Sequence, residues 1–385
     1  MSKTKIVEKS KCNGCMACYN VCPMKCIDIK EDKDGFLIPV IDESKCIDCG
    51  LCGKVCSIQN TSCKNGIISA YAVINKDDEV RTNSSSGGFF SALANEILKQ
   101  NGVVFGAVFD KDFSVVHTDV TEKSELSSLY GSKYVQSNVG NTFAKVEEYL
   151  KCDKTVLYCG TPCQIEGLKL YLKNKKFSEE KLITIDLSCH GVASPGVWKK
   201  YLDYRKEKDK SVPLNINFRD KSNGWNNFNM CFSYDDSNYK SSVSKDLFLL
   251  GFLRNVYLRE SCYSCHFKGF ERISDFTIGD FWGVEEVIPE MYDNKGTSIV
   301  LLHTEKAERL FDQIVKTKAI EAIQVEKIDE IKNEGLVYSA FKNPERKAFF
   351  KKYNSYSFEK LYDKCFSDKF VLKLRRHIAR KRRGK

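Results

Sequence analysis

Two cysteine runs with the same spacing near the start of the chain constrain its fold more than any other feature. Each run follows C-x2-C-x2-C-x3-C, and the eight residues are Cys12, Cys15, Cys18 and Cys22, then, 34 residues further on, Cys46, Cys49, Cys52 and Cys56. Thiolate sulfur is a soft ligand that suits iron–sulfur clusters, and in two-cluster proteins the fourth cysteine of each run ligates the other cluster. The spacing therefore predicts two 4Fe–4S clusters, one on Cys12, Cys15, Cys18 and Cys56 and one on Cys46, Cys49, Cys52 and Cys22.

Zinc is the alternative metal for such a segment. A zinc site usually takes two separated C-x2-C knuckles, which three cysteines at x2, x2 spacing fit poorly. The segment resembles bacterial-type 2×4Fe–4S ferredoxins at all eight ligand positions. It departs from their pattern at Ser57, where a second proline is expected, and at Cys26, where a small apolar residue is usual.

The cysteine content, the N-terminal residues and the length of the apolar runs together predict the cellular location of the protein. Eighteen cysteines occur in 385 residues, and the first nine residues contain no apolar core of a secretory signal. The longest apolar run, residues 247–253, is far shorter than the roughly 18 residues of a membrane-spanning helix. Since disulfides persist mainly in oxidising compartments, we expect a cytoplasmic protein whose cysteines bind metal.

The positive charge is concentrated at the C-terminal end. Of the net charge of +10, eight positive charges fall within residues 370–385, which contain no acid, so the body is nearly neutral. Val371, Leu374 and Ile378 fall on one helical stripe, which predicts an interfacial helix on an anionic membrane at its inner face. A solvated, partly disordered end fits the same residues, and no nucleic acid is expected as a partner.

The composition separates three regions, residues 1–62, 66–366 and 367–385. Between residues 66 and 366 strand-like and helix-like patterns alternate, which is typical of a mixed sheet with helices packed on it. We expect strands at 69–75, 103–109, 113–119, 155–158, 182–187 and 297–303, and helices at 87–100, from 163, from 195 and at 306–316. Ser86 is the predicted N-cap of the first of these helices. The expected fold is an α+β ferredoxin-like domain followed by a larger α/β domain.

Nine cysteines remain beyond residue 56, and four of them have the setting of ligands. Cys163 and Cys189 follow strands, and Cys262 and Cys265 form a C-x2-C knuckle, so the four can converge on a third cluster. A zinc half-site completed by His190 or His266 is the alternative. Inert, buried thiols are the interpretation for Cys63, Cys152, Cys231 and Cys365, whereas Cys159 is either a thiol near a flavin or a packing residue.

Residues 66–340 resemble the coenzyme F420 hydrogenase/dehydrogenase beta-subunit family of iron–sulfur flavoproteins. The resemblance depends on five motifs in order: SSSGGFFSALANEIL (84–98), YGSKYVQSN (130–138), CGTPCQIEGL (159–168), DLSCHGVASPGVW (186–198) and ESCYSCHFKGFERISDFTIGDFWG (260–283). It implies a 4Fe–4S cluster on Cys163, Cys189, Cys262 and Cys265, and FAD in the same domain.

The sequence gives weaker evidence for flavin contacts than for clusters, because no G-x-G-x-x-G fingerprint occurs. Ser86, Gly87 and Gly88 open a helix, where unpaired N–H groups suit a phosphate. Lys133 and Tyr134 add a cation and an aromatic ring. An ordinary capped helix and a turn are the plain alternatives for these two segments. The candidate flavin contacts are Ser86, Gly87, Gly88, Lys133, Tyr134, Gly160 and Thr161.

One-electron clusters beside a two-electron flavin predict an oxidoreductase that passes electrons between the clusters and FAD. A small organic molecule is the expected substrate, and ferredoxin or another redox subunit the expected protein partner. The resemblance and an AT-rich type of composition favour a bacterial reductase, for which surface-polysaccharide metabolism is one setting. The alternatives are a deazaflavin (coenzyme F420) dehydrogenase or hydrogenase beta subunit, and an electron-transfer subunit without a substrate of its own.

Overall fold

A mixed eight-stranded sheet forms the centre of the protein, whose computed structural model describes residues 7–383. The strands in that range are β1 (Ile27–Glu31), β2 (Leu37–Ile41), β3 (Ser69–Asn75), β4 (Val103–Phe109), β5 (Val115–Val120), β6 (Val156–Gly160), β7 (Leu182–Leu187), β8 (Asn215–Asp220), β9 (Asn229–Ser233), β10 (Asn238–Ser242), β11 (Phe276–Asp280), β12 (Ser298–Leu302) and β13 (Ile320–Gln324). The helices there are α1 (Ala17–Val21), α2 (Leu51–Lys54), α3 (Asp78–Asn83), α4 (Phe89–Lys99), α5 (Thr142–Lys151), α6 (Pro162–Asn174), α7 (Pro195–Asp209), α8 (Leu247–Leu253), α9 (Val284–Val287), α10 (Glu305–Lys316), α11 (Glu334–Val337), α12 (Arg346–Lys352), α13 (Phe358–Leu361) and α14 (Phe370–Arg383).

The central sheet has the strand order β13-β3-β12-β11-β7-β6-β4-β5. Strands β4, β6, β7 and β11 run parallel, while β5 and β12 are antiparallel to their neighbours. The almost continuous apolar sequence of β7 is buried along nearly its whole length, as expected for a parallel strand covered on both faces. Two smaller antiparallel sheets, β1-β2 and β10-β9-β8, lie outside the central sheet.

The carboxyl ends of the parallel strands meet at one edge of the central sheet, which is where ligands usually bind in such folds. Helix α6 starts at this edge immediately after β6. Thr161 caps it through a reciprocal capping box with Gln164, and Pro162 occupies its first turn, so the sequence fixes the start of the helix locally. The candidate site is therefore expected at this edge.

The N-terminal cysteine-rich segment shares a hydrophobic core with the larger region. Met16, Ala17 and Val21 on and beside α1 are buried in the same cluster as Phe105 of β4 and Ile165 of α6. Helix α1 contacts α6 directly. The segment is thus packed into the sheet domain rather than suspended beside it.

Several predicted elements agree with the structure. The strands expected at 69–75, 103–109 and 182–187 have the predicted bounds, and the expected α/β alternation gives a mixed sheet. The C-terminal tail contains a helix, α14, as its apolar stripe predicts. None of the helices in residues 7–383 is both long and apolar enough to cross a membrane.

The predicted N-cap Ser86 is wrong. Helix α4 begins at Phe89, and Gly88, with a left-handed φ of 85°, takes the N-cap position. The Ser86 hydroxyl instead donates to the carbonyl oxygen of Thr297 at 2.7 Å. A tertiary contact with the loop before β12 therefore overrides the local capping preference.

The expectation of buried thiols also fails at two of its four positions. Cys231 and Cys365 are buried, whereas Cys63 and Cys152 are exposed. Cys152 follows the last residue of α5 at its C-terminal cap, and Cys63 lies in the segment that leads to β3, so neither is covered by another element. All eighteen cysteines lie within the described residues, and none forms a disulfide.

Candidate iron–sulfur sites and sheet edge

The first cavity of the N-terminal segment gathers cysteines from both runs. Asn13, Gly14, Pro39 and Ile58 contribute to its wall. Its cysteines are Cys12, Cys15 and Cys18 of the first run and Cys52 and Cys56 of the second. Cys12 and Cys15 are buried, so this cavity is largely shielded from solvent.

The second cavity shows the reciprocal arrangement. The cysteines in its wall are Cys22 and Cys26 from the first part of the segment and Cys46, Cys49 and Cys52 from the second run. Cys49 is exposed, as are Met24 (46%) and Ile47 (60%), which line the same cavity. This second site therefore lies at the protein surface.

The two cavities suit clusters better than single ions. Each brings together three cysteines of one run and the last cysteine of the other, a soft donor set that fits 4Fe–4S clusters. Within residues 7–383 no three His, Cys, Asp or Glu side chains lie close enough together to hold a single metal ion. A cluster needs more widely spaced sulfurs than one ion does, because iron and sulfide lie between the ligands.

The two departures from the ferredoxin pattern both lie against sulfurs of predicted cluster ligands. Ser57 is buried, accepts a hydrogen bond from Asn13 Nδ2 (2.8 Å), and places its Oγ 3.7 Å from Cys15 Sγ. Cys26 is buried with its sulfur 3.4 Å from Cys22 Sγ. Each residue can therefore donate a hydrogen bond to a cysteine of one predicted cluster.

The sheet edge brings Cys163 and Cys189 together, because each lies two or three residues beyond the end of β6 or β7 and these strands are adjacent and parallel. Burial raises the pKa of Cys163, and the proximity of Cys189 and Cys265 raises it further. All three thiols therefore occupy one neighbourhood.

The C-x2-C knuckle reaches the same neighbourhood through backbone pairing. Arg259 N–H donates to the carbonyl oxygen of Val192, three residues after Cys189. Gly191, with φ +147°, passes so close to the knuckle that a Cβ there would lie 3.3 Å from the Cys262 Cβ. Burial and then the neighbouring Cys189 raise the pKa of Cys262 to about 12. The four predicted ligands of a third cluster are thus neighbours in the fold.

The two histidines of the zinc alternative differ in their surroundings from these cysteines. His190 Nε2 lies 2.6 Å from Asn255 Oδ1. His266 is exposed beside Cys265. The contact with Asn255 therefore occupies Nε2, one of the two ring nitrogens with which His190 could bind zinc.

The segments that carry the third cysteine set contact residues of the first cavity at two places. Arg259 Nε donates to the carbonyl oxygen of Cys12 at 2.7 Å, and Ser261 Oγ donates to the same oxygen at 3.1 Å. Gly167, one turn beyond Cys163 on α6, lies so close to the first cavity that a Cβ there would be 2.9 Å from Cys15 Sγ. The segments that carry the two sets are therefore held together without an intervening layer.

The predicted phosphate contacts at α4 already have partners within the protein. Gly87 N–H donates to Ser298 Oγ at 2.9 Å, and a Cβ on Gly87 would meet the Val73 carbonyl oxygen at 2.1 Å. The Gly88 carbonyl accepts from Asn75 Nδ2 at 3.2 Å. Together with the Ser86 contact described above, these bonds tie α4 to β3 and β12.

Lys133 and Tyr134 lie on the loop before α5. Burial lowers the pKa of Lys133 to about 7, and its ammonium group donates to the carbonyl oxygen of Tyr130 at 2.9 Å. The Tyr134 ring stacks on Phe252 with ring centroids 4.8 Å apart. This loop joins the loop before α4 through Ser132 N–H, which donates to Ser85 Oγ at 2.7 Å.

Gly160 is the last residue of β6 at the same edge, and Thr161 is the N-cap of α6. The Thr161 N–H donates to Gln164 Oε1 at 2.8 Å, and its Oγ1 lies 3.1 Å from Cys163 Sγ. Cys159 lies just before them, and its carbonyl oxygen accepts from His117 Nε2 at 3.2 Å. Burial raises the pKa of the Cys159 thiol to about 12, and the nearby Lys133 opposes that rise.

Two buried ion pairs in and beside the sheet were not predicted from the sequence. Arg219 of β8 pairs with Asp280 at the end of β11 (2.7 Å), and its Nη1 also donates to the Tyr134 hydroxyl at 3.3 Å. Arg272 Nε lies 3.8 Å from the Asp186 carboxylate inside the sheet domain. The only available signal was that Asp186, Arg272 and Asp280 all fall within the five family motifs, whereas the β8 sequence NINFRD gives none.

The geometry defines a class of protein, namely an iron–sulfur protein with an N-terminal dicluster segment and a larger mixed-sheet domain. Residues 11–60 match the family model of the 4Fe-4S dicluster domain. Residues 153–328 match the model of the C-terminal region of the coenzyme F420 hydrogenase/dehydrogenase beta subunit, and this range contains all four cysteines of the third set. Residues 11–60 and 153–328 are thus similar to these two families in that order, and the resemblance given by the motifs is confirmed.

A curated relative agrees with this family. The chain is 25% identical over 262 residues to the F420-dependent formate dehydrogenase subunit beta of Methanocaldococcus jannaschii, covering 66% of this chain and 64% of the relative. The chain thus spans less than two thirds of the length of that relative. A chain of the F420-reducing [NiFe] hydrogenase complex from Methanosarcina barkeri is 15% identical, with a TM-score of 0.49 over 78% of this chain and 90% of that one.

These matches revise the functional expectation. An iron–sulfur electron-transfer subunit related to coenzyme F420 dehydrogenases and hydrogenases is better supported than a reductase of surface-polysaccharide metabolism. The 4Fe–4S clusters of the N-terminal segment are supported by the dicluster match. The matched names contain coenzyme F420, and they give no support to the expected FAD.

Proposed function

We propose that the protein relays electrons between a protein partner and a deazaflavin-type coenzyme through three 4Fe–4S clusters. The contact between the first cavity and the third cysteine set carries this proposal. Arg259 and Ser261, which precede Cys262, hold the carbonyl oxygen of Cys12, a residue of the first set. Such a direct contact allows electrons to pass between the two clusters.

The second cavity is the proposed entry point for the protein partner. Cys49 is exposed there, and the apolar side chains of Met24 and Ile47 project beside it. Exposed apolar residues around a surface site favour docking of another protein. Ferredoxin or another redox subunit is the class of partner that suits an exposed one-electron site.

The first cavity is the proposed relay. Its wall includes Cys52, which also lines the second cavity, and Cys15, against which α6 packs at Gly167. The three clusters are therefore placed in the order second, first, third, and electrons can pass along this order in either direction. The polar groups around each sulfur set the relative potentials of the three sites.

The sheet edge beside the third cysteine set is the proposed place for the organic redox partner. Its polar groups include Lys133, whose pKa is held near 7 by burial, and the Arg219–Asp280 pair. A deazaflavin is the proposed class because both the family description and the relative name coenzyme F420. A deazaflavin carries two electrons as a hydride whereas each cluster takes one, so the relay needs a converter between them. FAD, which the resemblance predicts, would supply that conversion by taking the hydride and passing on single electrons.

Anaerobic purification followed by stopped-flow reduction tests the proposal. We expect about 12 iron atoms per chain, four for each cluster, and bleaching of all three clusters by reduced coenzyme F420. Cys189→Ser should remove the third cluster and stop reduction of the other two by F420. Cys49→Ser should remove the second cluster, leave F420 oxidation intact in a single turnover, and abolish reduction of ferredoxin.

The two variants make the proposed order refutable. If Cys49→Ser rather than Cys189→Ser stops reduction by F420, the direction of the relay is wrong. If NADH but not reduced F420 bleaches the clusters, the coenzyme assignment is wrong while the relay stands. A flavin count on the same sample tests FAD separately.

A further inference from the structure

Helix α14 presents an apolar stripe away from the body of the protein. Successive helical residues are about 100° apart around the axis, so four large apolar residues fall within an arc of about 100°. All four are exposed, and they are Phe370 (78%), Val371 (57%), Leu374 (46%) and Ile378 (43%). The stripe is therefore not used to pack the helix.

The helix is fixed to the body by its opposite face. Leu372 and Arg376 are buried there, and Arg376 donates to the Ser367 carbonyl oxygen at 3.1 Å. Arg375 pairs with Glu345 at 2.7 Å, and Arg380 pairs with Glu334 at 3.1 Å. These contacts hold α14 in an orientation that keeps the apolar stripe outward.

Exposed basic residues border the stripe. Lys373, His377 and Lys381 follow one another at four-residue intervals from beside the stripe to its edge, and all three are exposed. Lys373 Nζ also lies 3.6 Å from the exposed carboxylate of Asp368. An apolar face bordered by positive charge matches an anionic lipid surface, where the apolar side chains enter the acyl boundary and the cations meet lipid phosphates. A bilayer also presents one flat face to the whole stripe at once, which suits exposed apolar side chains spread over residues 370–378.

We propose that α14 docks the protein on the surface of an anionic bilayer. The helix lies in the plane of the interface, with Phe370, Leu374 and Ile378 inserted and the redox domain held on the aqueous side. This goes beyond electron relay, since it fixes where the relay operates. It does not depend on the clusters or on coenzyme F420.

Vesicle flotation of the intact, cluster-loaded protein tests the proposal. We expect flotation with vesicles rich in phosphatidylglycerol, and release at about 1 M salt, where the Debye length falls to about 3 Å. Leu374→Ser with Ile378→Ser should weaken partitioning by about tenfold or more, because two half-exposed apolar side chains are lost. Lys373→Glu with Lys381→Glu is a second variant that keeps the apolar stripe and reverses the charge beside it.

Val315→Ser supplies the matched control, because Val315 is similarly exposed (41%) but belongs to α10 rather than to the tail. This variant should float like the wild type, and circular dichroism should show unchanged helix content in all variants. Equal flotation of the wild type and both tail variants overturns the proposal. So does the absence of flotation, equal binding to neutral phosphatidylcholine vesicles, or capture of the tail by an acidic protein without vesicle binding.

Discussion

Replacement of Ser57 by alanine should lower the reduction potential of the first cluster. The Ser57 hydroxyl oxygen accepts a hydrogen bond from Asn13, so its own hydrogen is free to point at Cys15 Sγ, 3.7 Å away. Reduction adds one negative charge to the cluster and its sulfurs. A donor to a ligand sulfur therefore stabilises the reduced form more than the oxidised form.

The magnitude follows from ordinary hydrogen-bond energies. A single hydrogen bond contributes about 0.5–1.5 kcal/mol, and we assign about half of that, roughly 0.3–0.7 kcal/mol, to the difference between the two oxidation states. Because 59 mV corresponds to a tenfold change, about 1.4 kcal/mol, for one electron, Ser57→Ala should lower the midpoint potential by about 15–30 mV. Ser57→Thr keeps the hydroxyl and should restore most of the potential.

Electron paramagnetic resonance during a redox titration measures this shift. The second cluster is the internal control, since Ser57 contacts a cysteine of the first cavity only. Iron content should stay at the wild-type value. An unchanged or higher potential of the first cluster, with full iron content, would refute the hydrogen-bond argument.

Three further predictions concern other contacts. Cys26→Ala should lower the potential of the second cluster by a similar amount without loss of iron, because the Cys26 thiol can donate to Cys22 Sγ, 3.4 Å away. Loss of iron from that cluster in the variant would instead make Cys26 a ligand. Gly167→Ala should destabilise the fold by about 1–3 kcal/mol in thermal unfolding and slow electron transfer to the third cluster, because its Cβ would meet Cys15 Sγ, whereas Gly66→Ala, in open space, should change neither. Burial lowers the pKa of His117 to about 4 from its usual 6.5, so the folded state resists protonation and stability should fall as the pH drops through that window. The free energy of unfolding should fall by about 2 kcal/mol between pH 7 and pH 5. Denaturant unfolding of His117→Gln should show a fall that is smaller by about 2 kcal/mol over the same pH range.

The parts of the fold that could be predicted are those with a strong local pattern. The β7 sequence LITIDL is buried almost throughout, so its apolar run correctly predicts the first and last residues of the strand. The three-stranded sheet β8–β10 was missed because its strands, such as NYKSS in β10, contain many polar residues and half-exposed positions. Its register is fixed by pairing with neighbouring strands, which no local pattern reveals.

The candidate sites show the same difference between local patterns and long-range contacts. Cysteine spacing was enough to group the residues around the two N-terminal cavities, because the ligands of each run are close in sequence. The proximity of Cys163 and Cys262 can be established only in the folded structure, because about 100 residues separate them in the sequence. The hydrogen bonds of Ser86 and Gly87 to the start of β12 were likewise invisible, because their partners lie more than 200 residues away.

The shared core of the dicluster segment limits how the protein can be rebuilt. Val21 and Ala17 fill space between α6 and the strand that contains Phe105, so removal of the segment would leave part of the sheet domain uncovered. The segment therefore behaves as a structural wall of the larger domain as well as a carrier of clusters. Exchanging the segment for an unrelated ferredoxin module would require redesign of that wall. We therefore expect substitutions in the segment and in the sheet domain that contacts it to be coupled.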